Sequence, residues 1–304
     1  MHSNTVVLAL SLLLALCGAA EPPPSTELDP LRAEMRALTP LHERVGAPKS
    51  GEWRAVHREP RQTFDRYVAD ASAILPTRAR STVVVQPLGP LRPSDARIVG
   101  TVALALEAYF GLHTRVERPL VVDVPPGARR GSHGFGEQLL TTHLLGELEK
   151  RLPDDATAYI AFTASDLWPG DGWNYVFGQG SLRDRVGVWS LARNGDSSDE
   201  AGYDRALLRA IKVATHEVGH MFGMHHCTTY RCNMAGANSL EESDQSPVWL
   251  CPECLAKLSW ATGEPARAHL RRMHAFFTDR ELAVEAQHYA ASLAVIERLE
   301  GARR

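Results

Sequence analysis

The sequence predicts an α/β fold with a mixed, mostly parallel sheet, and three observations support this prediction. A β-branched apolar run, TVVVQPL (82–88), is typical of a buried strand. Apolar residues then recur at helical spacing over 94–110. Strand-like and helix-like segments continue to alternate as far as residue 221, which is the pattern of helices packed on a sheet.

Ahead of this region, residues 21–80 predict a proline-rich linker followed by an N-terminal extension. The consecutive prolines in EPPPSTELDP (21–30) disfavour both helix and sheet. One helix is predicted over 62–74, where it would end before Pro76.

The middle of the chain supplies the sheet and its covering helices. Strands or short β-like stretches are predicted over 82–88, 113–117, 157–162, 173–177 and 185–191. Helices are predicted over 94–110, 136–151 and 203–221. Ser94 or Asp95 would cap the first of these helices, and Gly111 would end it. The last helix carries an apolar stripe of Leu207, Ile211, Ala214 and Val218.

Residues 266–304 predict a smaller helical part at the C-terminal end. Thr278 and Glu281 match a capping box at the start of its last helix. The apolar stripe of that helix is interpreted as core rather than as a partner-binding face, and it comprises Leu282, Ala286, Tyr289, Leu293 and Ile296.

Residues 1–20 have the layout of an export signal. VVLALSLLLAL (6–16) is uncharged and apolar but too short to span a bilayer, and small residues follow it up to Ala20. We therefore expect export, to the periplasm or the medium. The alternative fate is a lipoprotein anchored through Cys17, although Leu16 stands where a lipobox has a small residue.

The charge of the chain argues against duplex nucleic acid as a partner. The chain has 304 residues and a formal net charge of −3, with both signs scattered along it. Because no basic face is evident, duplex nucleic acid is not expected as a partner.

Residues that can bind a metal are most concentrated in THEVGHMFGMHHCTTYRCNM (215–234), which contains four histidines and two cysteines. His216 and His220 are four residues apart on a predicted helix, so their rings project from one face about 5–6 Å apart. That spacing lets two nitrogens reach one Zn²⁺ at about 2.0–2.1 Å. Gly223 allows a sharp turn that can return His226 to the same ion. The full pattern, HExxHxxGxxH, is the metzincin form of the zinc-protease signature.

Three imidazoles leave a zinc position open for water, as catalytic sites do. Glu217, beside the first ligand, can accept a proton from the metal-activated water and pass it to the departing amine as general base and acid. The alternative is that Glu217 is an ordinary surface residue of the helix. His225 is one residue too close to Gly223 for the signature, so it is interpreted as a bystander that could exchange roles with His226.

Four cysteines follow the histidines: Cys227, Cys232, Cys251 and Cys254. Two pairs flanking a loop, one of them CxxC, are typical of a closed structural zinc site. Two disulfides are the alternative, and export would favour them.

The sequence resembles the archaemetzincins, a family of zinc peptidases in the metzincin clan. The resemblance is carried by the histidine signature, by C-x₄-C-x-M ending at Met234, and by the later CxxC. VVVQPLG (83–89), NYVFGQG (174–180) and VGVWSLAR (186–193) are also similar to family segments, whereas GEWRAVHREPRQTF (51–64) is only loosely so.

This resemblance implies a metzincin-like catalytic domain over 81–265 that includes the cysteine segment. It implies one catalytic and one structural zinc per chain, with Met234 as an apolar floor beneath the catalytic metal. Residues 174–178 would form the edge strand that pairs with an extended peptide. Aminopeptidase-like preference is a further implication.

The combined prediction is a zinc-dependent peptidase acting on peptide or protein substrates as a monomer. The alternative function is a zinc-stabilised module that binds peptides with little or no turnover.

Overall fold

A five-stranded sheet forms the centre of the protein in the computed structural model, which describes residues 28–70, 74–132, 134–181, 183–197 and 199–302. The predicted export signal and the alternative lipid attachment at Cys17 lie outside the described residues. In the part of the chain that is described, no helix combines the length and the apolar character needed to cross a membrane.

Eight strands are assigned within the described residues: β1 Thr82–Leu88, β2 Thr114–Val116, β3 Arg129–Ser132, β4 Gly136–Leu140, β5 Ala156–Thr163, β6 Asp166–Trp168, β7 Gly178–Ser181 and β8 Val186–Ser190. The main sheet has the order β2-β1-β5-β8-β7. Its strands pair in parallel except for β7, which pairs antiparallel with β8 at one edge. The predicted mixed, mostly parallel sheet is therefore confirmed.

A second, smaller sheet joins β3, β4 and β6. β4 pairs antiparallel with β3 and parallel with β6. The segment that leads into the edge strand β7 lies beside this sheet, since Val176 forms a β-bridge with Leu167 of β6.

The α-helices assigned in the described residues are α1 Asp29–Leu38, α2 Trp53–Val56, α3 Phe64–Ala69, α4 Pro93–Phe110, α5 Thr141–Glu149, α6 Glu200–Met221, α7 Leu240–Gln245, α8 Pro252–Thr262, α9 Ala266–Thr278 and α10 Ala283–Gly301. Side chains of β1 alternate between the two faces of the main sheet. Val83 and Val85 join a core cluster with α4 and α6, whereas Val84 joins a second cluster with α5. Burial on both faces explains why TVVVQPL is apolar without alternation.

Several predicted boundaries need correction. The helix predicted over 136–151 begins only at Thr141, because Gly136–Leu140 is held as β4 between β3 and β6. The β-like stretch predicted over 173–177 makes only the single bridge at Val176, and the edge strand lies farther on, at Gly178–Ser181. The predicted cap at Ser94 or Asp95 is wrong, because α4 starts at Pro93 with Arg92 as its cap residue. The predicted end at Gly111 is confirmed, since Gly111 follows the helix with a positive φ of 66°.

The N-terminal segment, defined as residues 28–70, packs against the rest of the protein. Leu28, Phe64 and Val68 form a small buried cluster with Ala256 of α8. The helix predicted over 62–74 is the shorter α3, Phe64–Ala69.

Of the C-terminal helices, α9 packs against α4, and α10 packs against α9 and α1. The apolar stripe of α10 is confirmed as core, since Tyr289 and Ile296 are buried and Leu282, Ala286 and Leu293 pack against the same cluster. The predicted capping box is wrong, because Thr278 is the last residue of α9 and Glu281 has a positive φ of 57° in the connection before α10.

Candidate active site

The helix α6 carries the first two histidines on the face opposite its buried stripe. The helix begins at an Asp199 cap whose carboxylate accepts the backbone N–H of Gly202 at 2.6 Å. Leu207, Ile211, Ala214 and Val218 are buried in the core, as predicted from their spacing. His216 and His220 are left facing a cleft near the C-terminal end of the helix.

A tight turn then reverses the chain. Gly223 has a φ of 81° and donates its N–H to the His220 carbonyl at 2.8 Å, and Met224 donates to the Gly219 carbonyl at 3.1 Å. A residue with a side chain is strained at this φ, which accounts for glycine at position 223. Residues 222–226 are named the metal-site turn below.

The turn brings the third imidazole to the first two. One ring nitrogen from each of His216, His220 and His226 lies within 4.8 Å of those of the other two. The Nε2 atoms of His216 and His220 are 2.9 Å apart. Two nitrogen ligands of a tetrahedral zinc at about 2.0–2.1 Å would lie roughly 3.3 Å apart. The side chains therefore fit one shared ion.

Each imidazole is oriented by a partner of its Nδ1 atom. His216 Nδ1 bonds the Asn233 carbonyl at 2.7 Å, and His220 Nδ1 bonds the Met224 carbonyl at 2.5 Å. Because a carbonyl can only accept, both Nδ1 atoms are the protonated ones and both Nε2 atoms carry lone pairs.

Two facing lone pairs need a positive charge between them, and the electrostatics disfavour a proton. Burial lowers the pKa of His220 well below its ordinary value, and the neighbouring imidazoles of His216 and His226 act in the same direction. Burial also lowers the pKa of His226, although Glu59 opposes that shift. Neutral imidazoles are the form that binds zinc, so this donor set fits a metal ion.

Glu217 is adjacent to these ligands but is not one of the grouped metal-binding atoms. Its Oε2 atom lies against the edge strand, 3.4 Å from the position that a Cβ of Gly180 would occupy. Burial raises the pKa of Glu217, while the nearby His216 acts to lower it. A carboxyl group with a raised pKa beside a metal site is suited to accepting and returning a proton near neutral pH.

Met234 packs directly beneath the histidine-bearing turn of α6. It is buried, and its sulfur occupies the space where Gly219 lacks a side chain: a Cβ at position 219 would lie 2.7 Å from Met234 Sδ. Its main-chain neighbour Asn233 holds the His216 ring. The floor expected from the resemblance is therefore in contact with the helix that carries the ligands.

The four cysteines converge in a second cluster, defined as Cys227, Cys232, Cys251 and Cys254. Their sulfurs all lie within 4.8 Å of one another, and all four are buried free thiols. Cys227 Sγ and Cys251 Sγ are 3.7 Å apart, close to the roughly 3.8 Å expected for two thiolates bound at about 2.3 Å to a tetrahedral zinc.

The surroundings of these sulfurs also fit a cation. Burial raises the pKa of Cys232 and of Cys251 well above the ordinary value, whereas hydrogen bonds with the other three cysteines lower the pKa of Cys227 well below it. Four thiolates together would therefore need a bound cation. The backbone N–H of Cys251 points at Cys232 Sγ at 3.2 Å, and Cys251 Sγ caps the start of α8. Such donors stabilise metal-bound thiolates.

A cleft of about 900 Å³ runs past the imidazoles and Glu217. One side is formed by β7 and an aromatic stretch before it, with Trp173, Tyr175 and Phe177. The predicted edge at 174–178 is thus corrected: these aromatic residues line the cleft, and the edge strand β7 is Gly178–Ser181. The Phe177 carbonyl just before it accepts the N–H of Ser190 at 2.8 Å. The opposite side includes Trp53 and Glu59 of the N-terminal segment.

Arg130 and Asp166 of the small sheet, together with Arg193, hold the aromatic side of the cleft in place. Arg130 donates to the carbonyls of Trp173 and Asn174, both at 2.9 Å. The Arg193 guanidinium stacks 3.7 Å from the centre of the Tyr175 ring and pairs with the fully buried Asp166 at 2.7 Å. These contacts order the cleft before a ligand arrives.

The structure separates the residues predicted from the motif into two groups. His216, His220 and His226 come together in one, and the four cysteines in the other. His225 belongs to neither group; it lines the cleft, and its backbone N–H donates to Gln62 Oε1 at 3.0 Å. Sequence reasoning missed Glu59 and Trp53, for which the loose likeness of residues 51–64 to the family was the one available signal.

Comparisons with known proteins identify the class. The peptidase family M54 profile matches residues 141–260, which include the histidines and all four clustered cysteines. The protein is a zinc metallopeptidase.

Individual relatives identify the family. The chain is 34% identical over 246 residues to archaemetzincin-2 of Homo sapiens and 36% identical over 250 residues to archaemetzincin-2 of Macaca fascicularis. Each match covers 70% of this chain and 68% of the relative. The crystal structure of archaemetzincin from Methanopyrus kandleri matches 62% of this chain and 99% of its own, at 28% identity and a TM-score of 0.50. The chain belongs to the archaemetzincin family.

Proposed function

We propose that the chain hydrolyses peptide bonds at the three-imidazole site, with Glu217 as general base and then general acid. His216, His220 and His226 would hold a catalytic zinc, and the cysteine cluster would hold a structural one. The observation that carries the proposal is the convergence of three imidazoles, two with lone pairs 2.9 Å apart, beside a buried carboxyl group. Zinc bound there supplies Lewis acidity, which lowers the pKa of water and polarises a substrate carbonyl.

Glu217 supplies the proton transfers. With its pKa raised by burial, the carboxylate accepts a proton from the attacking water more readily than an exposed glutamate would. The same group then returns the proton to the amine nitrogen that leaves. The position of Glu217 against Gly180 supports a reaction beside the edge strand.

The edge strand supplies the binding geometry. Among the described residues, β7 lies at the end of the main sheet and pairs only with β8. A substrate in extended conformation can add to its other side through main-chain hydrogen bonds, and this contact does not depend on side-chain sequence. The aromatic side chains nearby favour apolar residues in the substrate. Aminopeptidase-like preference, monomeric state and export remain parts of the proposal that rest on the sequence.

The test is peptide turnover by zinc-loaded protein and by Glu217→Gln. Defined peptides would be supplied with free and with acetylated N-termini, so that the same assay reports any requirement for a free amine. Removing the general base should lower kcat by about 100- to 10,000-fold while the zinc content stays unchanged. Glu200→Gln, an exposed change at the other end of α6, is the matched control and should keep wild-type turnover.

Two results would overturn the proposal. One is undiminished turnover by Glu217→Gln. The other is binding of peptides without cleavage by the zinc-loaded wild type, which would favour a peptide-binding module instead.

A further inference from the structure

The third imidazole is held by a different kind of partner from the first two. His216 and His220 are oriented by backbone carbonyls of Asn233 and Met224, both close to them in sequence. His226 Nδ1 instead lies 2.9 Å from both carboxylate oxygens of Glu59, which is 167 residues away. The N-terminal segment therefore reaches the metal site with a charged group.

We propose that Glu59 is a positioning residue that orients His226 for metal binding, and that the N-terminal segment is in this way an integral part of the active centre. The inference rests on the proposed function, since it assigns Glu59 a role toward the same catalytic zinc. Within the described residues, the hydrogen bonds of Glu59 to the three-histidine group are made to Nδ1 of His226.

The chemistry of the contact supports this role. A carboxylate can only accept, so it fixes the proton of His226 on Nδ1 and leaves Nε2 with the lone pair. It also holds the plane of the ring through two oxygens at equal distance. Metal-binding histidines that donate to a carboxylate gain both a fixed orientation and stronger ligand basicity.

Glu59 is itself held in place by Trp53. The indole N–H of Trp53 donates to Glu59 Oε2 at 3.2 Å, and the indole ring meets the His226 ring edge to face, with centroids 4.9 Å apart. The backbone N–H of Trp53 is anchored to Glu242 Oε1 at 2.8 Å. The indole lies so close to Gly236 that a Cβ there would come within 2.5 Å of it.

The N-terminal segment also forms hydrogen bonds with the backbone of the metal-site turn. Gln62 donates to the Gly223 carbonyl at 2.9 Å and accepts from the His225 N–H at 3.0 Å. Tyr67 donates its hydroxyl proton to the Phe222 carbonyl at 2.6 Å. Lys257 of α8 holds Gln62 in turn, through the Gln62 carbonyl at 2.6 Å. His226 is thus placed by contacts on its ring and on the backbone leading to it.

The experiment measures zinc affinity of the full chain by competition with a chromophoric chelator. Glu59→Ala should weaken the catalytic site by about 10- to 100-fold, the usual cost of losing such a partner. Glu59→Gln, which keeps an acceptor but loses the charge, should lie between Ala and wild type. The cobalt-substituted protein should show an altered visible absorption in Glu59→Ala, because the geometry of the ligands changes.

Glu52→Gln is the matched control. Glu52 lies in the same segment and accepts only the backbone N–H of Lys49, at 2.8 Å, among its side-chain hydrogen bonds in the described chain. Its variant should bind zinc as the wild type does.

Wild-type zinc affinity and an unchanged cobalt spectrum in Glu59→Ala would overturn the inference. That result leaves the proposed function intact if the wild type still cleaves peptides. Failure of the wild-type histidines to bind zinc would instead remove both proposals.

Discussion

Gly219 lies between His216 and His220 in the sequence of α6, and Met234 packs into the space that a side chain at position 219 would occupy. The sulfur of Met234 approaches so closely that a Cβ at position 219 would lie 2.7 Å away, well inside normal contact distance. Gly219 and Met234 are both buried, and protein interiors are close-packed. The close approach of Met234 to α6 therefore depends on the absence of a side chain at Gly219.

Gly219→Ala should destabilise the protein by about 1–3 kcal/mol through overpacking, although alanine favours helix. Gly100→Ala in α4 is the control, because a Cβ there meets nothing within 4 Å; it should stabilise by up to about 1 kcal/mol. Both are measured by denaturant unfolding. Combining Gly219→Ala with Met234→Ala should cost less than the two separate changes summed, and strict additivity would contradict the packing account.

At the scale of elements, the short helix α3 is docked onto the end of α6. The Tyr67 hydroxyl is buried and donates to the Phe222 carbonyl at 2.6 Å, just where the helix ends and the metal-site turn begins. Carbonyl groups in the last turn of a helix lack partners within that helix. A residue of the N-terminal segment thus completes the hydrogen bonding of the catalytic helix.

Tyr67→Phe should lower the free energy of unfolding by about 1–3 kcal/mol, because it leaves a buried carbonyl without its donor. Tyr289→Phe is the matched control. Its hydroxyl is also buried but finds no hydrogen-bond partner among the described residues, so its loss should change stability by less than about 0.5 kcal/mol. Equal losses in thermal melting would count against the docking role of Tyr67.

On the scale of the whole molecule, the two metal-binding groups have different surroundings. The cysteine cluster is fully enclosed, whereas the imidazoles open onto the cleft. α8 begins in the cysteine cluster and packs against α1 and α3, so the cluster connects the catalytic region to the N-terminal segment. A metal in the enclosed site would contribute directly to the free energy of folding.

Elemental analysis of the purified chain should give about two zinc ions, the sum of a closed and an open site. Cys251→Ser should cause a much larger fall in melting temperature than His226→Ala, which removes a ligand at the edge of a cleft. Similar losses in the two variants would argue against separate structural and catalytic roles. A single zinc together with an absence of free thiols after denaturation would favour disulfides.

The sequence predicted the parts of this protein whose evidence is local. The bounds of β1 followed from one run rich in β-branched residues, and the face of α6 followed from Leu207, Ile211, Ala214 and Val218. The proximity of the His216 and His220 rings was predictable because helix geometry places residues four apart on one face.

The features that the sequence could not predict depend on contacts between residues far apart in the chain. Residues 136–140 form β4 only because β3 and β6 lie on either side of them, and the isolated pattern favoured helix. Glu59 has no spacing relation to His226, which it meets across 167 residues. The helix predicted over 62–74 begins only at Phe64 because Thr63 caps it, its hydroxyl accepting the Arg66 N–H at 3.1 Å.

Cys227 follows His226 without an intervening residue, and its N–H closes the loop by donating to the Met234 carbonyl at 2.6 Å. The backbone that aims the third imidazole is therefore the same backbone that enters the sulfur cluster. In the proposed two-zinc form, loss of the metal from the sulfur cluster would therefore also displace the third imidazole from the catalytic ion.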